Sequence, residues 1–307
     1  MSTAIVFSYG DMGTAAFAAL AEAGAQVLAL VLPSNRVGHD VEIARAAARA
    51  AGLPIRVQPP RDRIDPFVRE LETLAPDTIV IWSYSMILPA TVIGVPRRGC
   101  VNVHGGLLPD YRGPHVMQWA IINGETETGV TLHYVDAGID TGPVIAEERF
   151  AIGPEDDAPA VQGKLRDVGS RLLRRWWPAI AAGTAPRVPQ DESRAKYYPL
   201  RTPEDGRINW SAPAASIHNL VRALAAPWPG AFTQLGREKL VVRRVIVRQG
   251  SGASAAPGVV SRVDETGARI GTGSGDLVIV AAEVGGQAAG PGGLATLGLA
   301  PGLRLGP

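Results

Sequence analysis

Cysteine is nearly absent: Cys100 is the single one among 307 residues. One thiol cannot close an internal disulfide, which excludes a disulfide-stapled scaffold and predicts a reducing, cytoplasmic setting. Charge of one sign is lacking as well, since 30 Lys and Arg against 29 Asp and Glu leave a net +1. A chain so balanced is not built mainly to coat nucleic acid or an anionic membrane. No apolar run approaches the ~20 residues that span a bilayer, so no membrane partner is expected. The start, Met1–Phe7, has no basic stretch ahead of a long apolar one, and no leader is expected. The small charge excess lies late: from Gly206 on there are ten Lys and Arg against five Asp and Glu.

Apolar residues are plentiful, at 46% of the chain. Short apolar runs at Ala4–Ser8, Val27–Leu32, Ile55–Val57, Thr78–Trp82 and Val101–Val103 alternate with helical patterns at Thr14–Ala23, Asp40–Ala51 and Asp65–Leu74. That alternation predicts a Rossmann-like α/β domain, a parallel sheet with helices on both faces. Pro159–Ala182 reads as one or two helices, and the polar stretch that follows as a linker. Beyond a short helix at Ser216–Leu224, brief strands at Ala231–Leu235, Leu240–Val247, Gly258–Val263, Ala268–Thr272 and Leu277–Ala281 predict a small OB-like β-barrel. Ser251–Pro257 and Gly285–Gly293 read as loops. The expected plan is a catalytic domain over 1–187, a linker over 188–205 and a C-terminal domain over 206–307.

Chemistry concentrates in Cys100–Gly113. Asn102 and His104 stand two apart on a strand, so they share a face. The strand's end opens on the crevice where such sheets bind ligands. His104 can move a proton, and Asn102 can donate an N–H to a growing oxyanion. Asp140, in the Gly-containing loop Asp136–Gly142, can orient an imidazole. On spacing alone the same three residues also fit a strand cap and a turn. Gly10 and Gly13 lack the third glycine of a dinucleotide fingerprint, so no bound NAD is expected. His104, His133 and Asp140 lack metal-ligand spacing, and no metal is expected.

The run His104-Gly105-Gly106-Leu107-Leu108-Pro109-Asp110-Tyr111-Arg112-Gly113, the run Asn123–His133 and the Asp140-Thr141-Gly142 loop together resemble the folate-dependent formyltransferase family. Tyr9–Gly13, Arg201–Asp205 and Pro227–Phe232 are similar to the formyltransferase half of the bifunctional UDP-4-amino-4-deoxy-L-arabinose enzyme. The resemblance implies that His104 is the general acid/base, Asn102 the oxyanion donor and Asp140 the group that raises the pKa of His104. It implies 10-formyltetrahydrofolate as formyl donor, its pteridine lying against Met86, Ile87 and Leu88 and against Asp136, Ala137, Gly138, Ile139 and Asp140. It implies a small amine acceptor, first a nucleotide-linked amino sugar, with methionyl-tRNA or another amine such as hydroxyornithine as alternatives. The chain departs from the family in two places. Gly106 stands where a serine is common, and Pro114 where sugar-acting members often carry arginine. In addition, the long basic loop that tRNA-acting members carry after the second strand is here the short stretch Pro33–Asp40, with the lone Arg36. Arg237, Lys239, Arg243, Arg244 and Arg248 leave room for the tRNA reading.

Overall fold

The structure is a computed structural model that describes residues 1–248 and 253–306. They form two compact units. One comprises Met1–Val116, Thr128–Phe150 and Gly163–Tyr198, and the other Met117–Glu127, Ala151–Gln162 and the chain from Pro199 on.

Up to Ala182 the chain runs β1 (Thr3–Ser8), α1 (Gly10–Glu22), β2 (Gln26–Pro33), α2 (His39–Ala50), β3 (Ile55–Gln58), α3 (Asp65–Leu74), β4 (Thr78–Trp82), α4 (Ala90–Ile93), β5 (Cys100–His104), α5 (Val116–Ile122), β6 (Glu127–Tyr134), β7 (Val144–Ala151) and α6 (Ala158–Ala182). These seven strands form one sheet in the order β3-β2-β1-β4-β5-β6-β7. The first five in that order pair in parallel, and β6 turns antiparallel to β5. Both faces of the central strands are covered, which is why they read as unbroken apolar runs. Ile5, Phe7, Ile79 and Ile81 pack with Phe67 and Leu71 of α3. The alternate residues Ala4, Val6 and Val80 are equally buried. Cys100 is buried at the start of β5, and burial pushes its thiol up to about 12, as suits a packing residue.

The alternation left β6 and β7 unread, although Val130, Leu132 and Tyr134 alternate with Gly129, Thr131 and His133 along β6. Pro159–Ala182 proves to be one helix, α6. Residues 188–198 differ from the expected linker. Val188 exchanges backbone hydrogen bonds with Val144, and Lys196 and Tyr198 bond the backbone of Pro109 and Arg112.

In the second unit, α7 (Ala214–Ala223) precedes β8 (Ala231–Leu235), β9 (Glu238–Arg248), β10 (Val260–Asp264), β11 (Gly267–Gly271), β12 (Asp276–Val284) and β13 (Gln287–Ala289). These strands form an antiparallel sheet in the order β10-β11-β12-β9-β8, with β13 on β12. The chain's tail joins its two edges. Leu305 N–H donates to Gly258 O and Val260 N–H to Leu303 O on one side, while Gly306 N–H donates to Gln234 O on the other. Closing the edges satisfies backbone groups that an open sheet would expose. Leu240, Val242, Ile270, Leu277 and Ile279 fill the interior, with Ile217 and Val221 of α7. Of the two expected loops, Ser251 and Gly252 lie outside the described residues. The other holds β13 and a 3-10 turn at Pro291–Leu297.

Candidate active site

The pairing of β5 with β6 sets the register of the site. Asn102 lies opposite His133, and His104 opposite Thr131. Side chains alternate along each strand, so Asn102, His104, Thr131 and His133 share one face. Thr131 pins the turn that follows His104: its Oγ1 donates to Gly106 O at 2.8 Å and accepts from Leu108 N–H at 3.1 Å. Gly106 sits in tight packing. A Cβ there would come within 3.0 Å of Val116 Cγ2, 3.1 Å of Tyr111 Cβ and 3.3 Å of His104 Nε2. The serine common at this position in the family would therefore press on Tyr111, whose carbonyl accepts from His104 Nε2 at 2.6 Å. Pro114 and His115 are exposed.

The other half of the site is the loop between β6 and β7. Asp136 Oδ1 closes it, accepting from Gly138 N–H at 3.0 Å and Thr141 Oγ1–H at 2.5 Å. Asp140 sits at φ 53°, a left-handed conformation that short polar residues tolerate better than most. Gly142 lets the loop pass the sheet, since a Cβ there would lie 1.8 Å from Tyr134 O. The carboxylate of Asp140 then reaches the strand face. Its Oδ2 accepts from Gly113 N–H at 2.9 Å and stands 3.6 Å from His104 Nδ1. Its Oδ1 stands 3.6 Å from His133 Nε2 and accepts from Asn102 Nδ2–H at 3.4 Å.

Backbone carbonyls settle the tautomers. His104 Nε2 donates to Tyr111 O, so the lone pair of the neutral ring is at Nδ1, on the Asp140 side. His133 Nδ1 donates to Tyr134 O at 2.8 Å, so its Nε2 accepts from Asn102 Nδ2–H at 3.1 Å. Burial of His104, 6% exposed, lowers its pKa below 6.5 and outweighs the opposing pull of Asp140; His133 adds to the lowering, and the Tyr111 carbonyl opposes it. The expectation that Asp140 raises the pKa of His104 thus describes one influence, and desolvation exceeds it. Burial acts on Asp140 in the raising direction, but His104, His133 and the Gly113 N–H together hold its carboxyl well below the usual range. At neutral pH the site is therefore a neutral imidazole beside a carboxylate. As a consequence, kcat/KM, corrected for ionisation of the acceptor amine, is expected to rise with pH along a limb centred below 6.5 and to be flat by about pH 7.5. A limb centred above 6.5 in a pH–rate profile would contradict this.

His104, His133 and Asp140 each offer a ligand atom within 4.8 Å of the others, the kind of set that suits a transition metal. The nitrogen lone pair of His133 is already engaged by Asn102, so the arrangement reads as a hydrogen-bonded group. His133 was not expected in the site. Its signal was the alternation of Thr131 and His133, which becomes visible once β6 is recognised as a strand paired to β5.

Two loops expected to hold a ring are also placed. Ile87, 80% exposed, and the half-buried Met86 lie after β4, and Ile139, 52% exposed, lies in the Asp140 loop. Asp136, Ala137 and Gly138 are exposed beside Ile139. Leu88 differs, because its side chain packs in the core with Ile64, Phe67 and Val92.

Residues 9–176 match the family described as Formyl transferase, and residues 201–292 match Formyl transferase, C-terminal domain. The chain belongs to the formyl transferase family. Among its relatives, the methionyl-tRNA formyltransferase of Myxococcus xanthus is 38% identical over 274 residues, covering 88% of this chain and 86% of that one. The methionyl-tRNA formyltransferase of Geobacter sulfurreducens is 36% identical, covering 96% and 95%. Among solved structures, the N-formyltransferase of Helicobacter canadensis, in complex with folinic acid and dTDP-3-aminofucose, superposes with a TM-score of 0.71 at 18% identity, covering 91% of this chain and 99% of that one. WlaRD, a sugar 3N-formyl transferase, gives 0.69 at 19%, covering 94% and 99%. In this formyl transferase the family match spans both the strand that carries Asn102 and His104 and the loop that carries Asp140.

Proposed function

We propose that the protein transfers a formyl group from 10-formyltetrahydrofolate to a primary amine, and that this amine is the α-amino group of methionyl-tRNA. The acceptor reading rests on the two methionyl-tRNA formyltransferases, at 36% and 38% identity over nearly the whole of both chains. The exposed cations Arg237, Lys239, Arg244 and Arg248 on and beside β9 support it, since phosphate contacts need clustered Lys and Arg. Met86, Ile87 and Ile139 offer the apolar surface that a flat pteridine needs. 10-Formyltetrahydrofolate supplies the formyl carbon as an electrophile.

The chain's own residues then divide the work. His104 Nδ1 takes the proton that the attacking nitrogen loses as the C–N bond forms. Asn102 gives up its longer bond to Asp140 and donates that Nδ2–H to the formyl oxygen as charge grows there, a donor role worth roughly 3–4 kcal/mol. Asp140 stabilises the imidazolium. His104 returns the proton to the departing nitrogen.

The second reading is the nucleotide-linked amino sugar. The segment after β2 favours it. Arg36 Nη2 lies 2.5 Å from Asp40 Oδ2, and its guanidinium stands 4.3 Å over the Tyr9 ring, so its charge is spent locally. Asn35 and Ser85 bond to each other, Ser85 Oγ–H donating to Asn35 Oδ1 at 2.7 Å and Asn35 Nδ2–H to Ser85 O at 3.2 Å. Such a segment offers little to an RNA backbone. The deciding assay incubates the protein and 10-formyltetrahydrofolate with methionyl-tRNA, UDP- and dTDP-amino sugars and hydroxyornithine, and follows the formylated product by mass. Formyl-methionyl-tRNA is the expected product. Formylation of an amino sugar with methionyl-tRNA untouched would replace the first reading by the second.

A further inference from the structure

Arg112 is fully buried, and none of its side-chain hydrogen bonds goes to His104 or Asp140. All five of its N–H groups are used. Nε and Nη2 donate to Gln190 Oε1 at 3.1 and 2.9 Å. Nη2 and Nη1 donate to the two carboxylate oxygens of Glu192 at 2.6 and 2.9 Å, and Nη1 donates to Tyr197 Oη at 2.7 Å. Because Gln190 Oε1 is claimed by the guanidinium, the orientation of its amide is fixed. Its Nε2 then donates to Asp140 O and Gly142 O, both at 2.8 Å. The two carbonyls lie either side of Thr141, so one amide clamps the loop where Asp140 holds its left-handed conformation.

The peptide groups flanking Arg112 reach the site directly. Tyr111 O accepts from His104, and Gly113 N–H donates to Asp140. The backbone of Arg112 is itself tied to the 188–198 segment, with Arg112 N–H donating to Lys196 O and Tyr198 N–H donating to Arg112 O, both at 2.9 Å. Glu192 is mostly exposed, so its pairing adds little stability in itself. The planar fork supplies orientation instead.

We infer that Arg112 and Gln190 are positioning residues for formyl transfer, Arg112 fixing the Gln190 amide and Gln190 holding the Asp140 loop against His104. The inference rests on the roles proposed above for those two groups. Gln190→Leu keeps most of the side-chain volume and removes both donors, together with the oxygen that accepts from Arg112 Nε and Nη2. In the full chain it is expected to lower kcat about ten- to a hundredfold, the scale of an ångström-size misplacement. KM for 10-formyltetrahydrofolate should stay within about threefold. The imidazole titration of His104, followed by NMR of histidine-labelled protein, should move to lower pH. The titratable groups facing His104 are Asp140, which favours its proton, and His133, which does not. A drifting Asp140 removes the first. Arg112→Lys keeps the charge but loses the fork, and should shift both readouts the same way. If it fails to fold, Gln190→Leu still decides the matter.

An unchanged His104 titration in Gln190→Leu, whether kcat falls or not, would overturn the inference by reducing the clamp to a structural support. His104→Ala, run beside it, separates the two levels. Wild-type turnover in His104→Ala would remove the site reading itself. An inactive His104→Ala beside a Gln190→Leu with unchanged kcat and titration would remove this inference alone.

Discussion

His104→Ala is expected to lower turnover by about a hundred- to ten-thousandfold, the range by which a positioned acid/base group accelerates proton transfer. That range corresponds to about 3–5 kcal/mol of barrier. The reason is geometric. The lone pair of neutral His104 lies at Nδ1, and burial keeps the ring uncharged at neutral pH, so the protein holds a ready base on the face shared with Asn102 and Asp140. Alanine also leaves Tyr111 O without its donor, at a cost of about 1–3 kcal/mol in stability. Thermal unfolding must therefore accompany the assay. His104→Gln separates the two effects, because an amide N–H can still donate to Tyr111 O but cannot take up a proton. Both variants should be slow, and the glutamine variant the more stable. Turnover of either within about threefold of wild type would end the assignment of His104 as the proton carrier.

The α/β architecture was legible in the sequence because each central strand is buried on both faces and each helix carries its own apolar stripe. Ile5, Phe7, Ile79 and Ile81 must be apolar wherever α3 lies against them. Asn102 and His104 were legible as a pair because a strand has a period of two. Asp140 was not, since nothing within 38 residues of loop and strand says that a carboxylate will return to Asn102. A carboxylate in a Gly-containing loop fitted either a partner for His104 or a plain turn, and the family resemblance tipped the balance. His133 was hidden for a related reason: its strand pairs antiparallel with β5, and its place opposite Asn102 depends on that register. The 188–198 segment misled by composition. Its Gln190, Glu192 and Tyr197 look like solvated linker residues, yet their polar atoms answer the five donors of a buried arginine about 80 residues away in the chain. Long-range satisfaction of a buried polar group leaves no periodic trace.

Asp140→Asn is expected to lower kcat by about ten- to a thousandfold while leaving the loop in place. Asparagine tolerates φ near 53°, and its Oδ1 can still accept from Gly113 N–H. The charge is lost, and with it the second oxygen, which accepts from Asn102 Nδ2–H at 3.4 Å. A carboxylate 3.6 Å from His104 Nδ1 stabilises the imidazolium by on the order of 2–4 kcal/mol in a protein site, which sets the scale of the effect. The pH profile should change in a definite direction. Asp140 favours the proton on His104, so its neutralisation lowers the pKa of His104 further and moves the acid limb of the rate to lower pH. Stability follows a separate sign. The folded carboxyl of Asp140 titrates below its unfolded value, so its contribution is fully present above about pH 4 and is lost as pH falls through the folded pKa. Asp140→Ala should match the asparagine variant in rate but be less stable, because Gly113 N–H loses its acceptor and alanine strains the left-handed turn. If Asp140→Asn kept both the kcat and the acid limb of the wild type, the carboxylate would be holding the loop alone. The electrostatic role assigned to it would then be wrong.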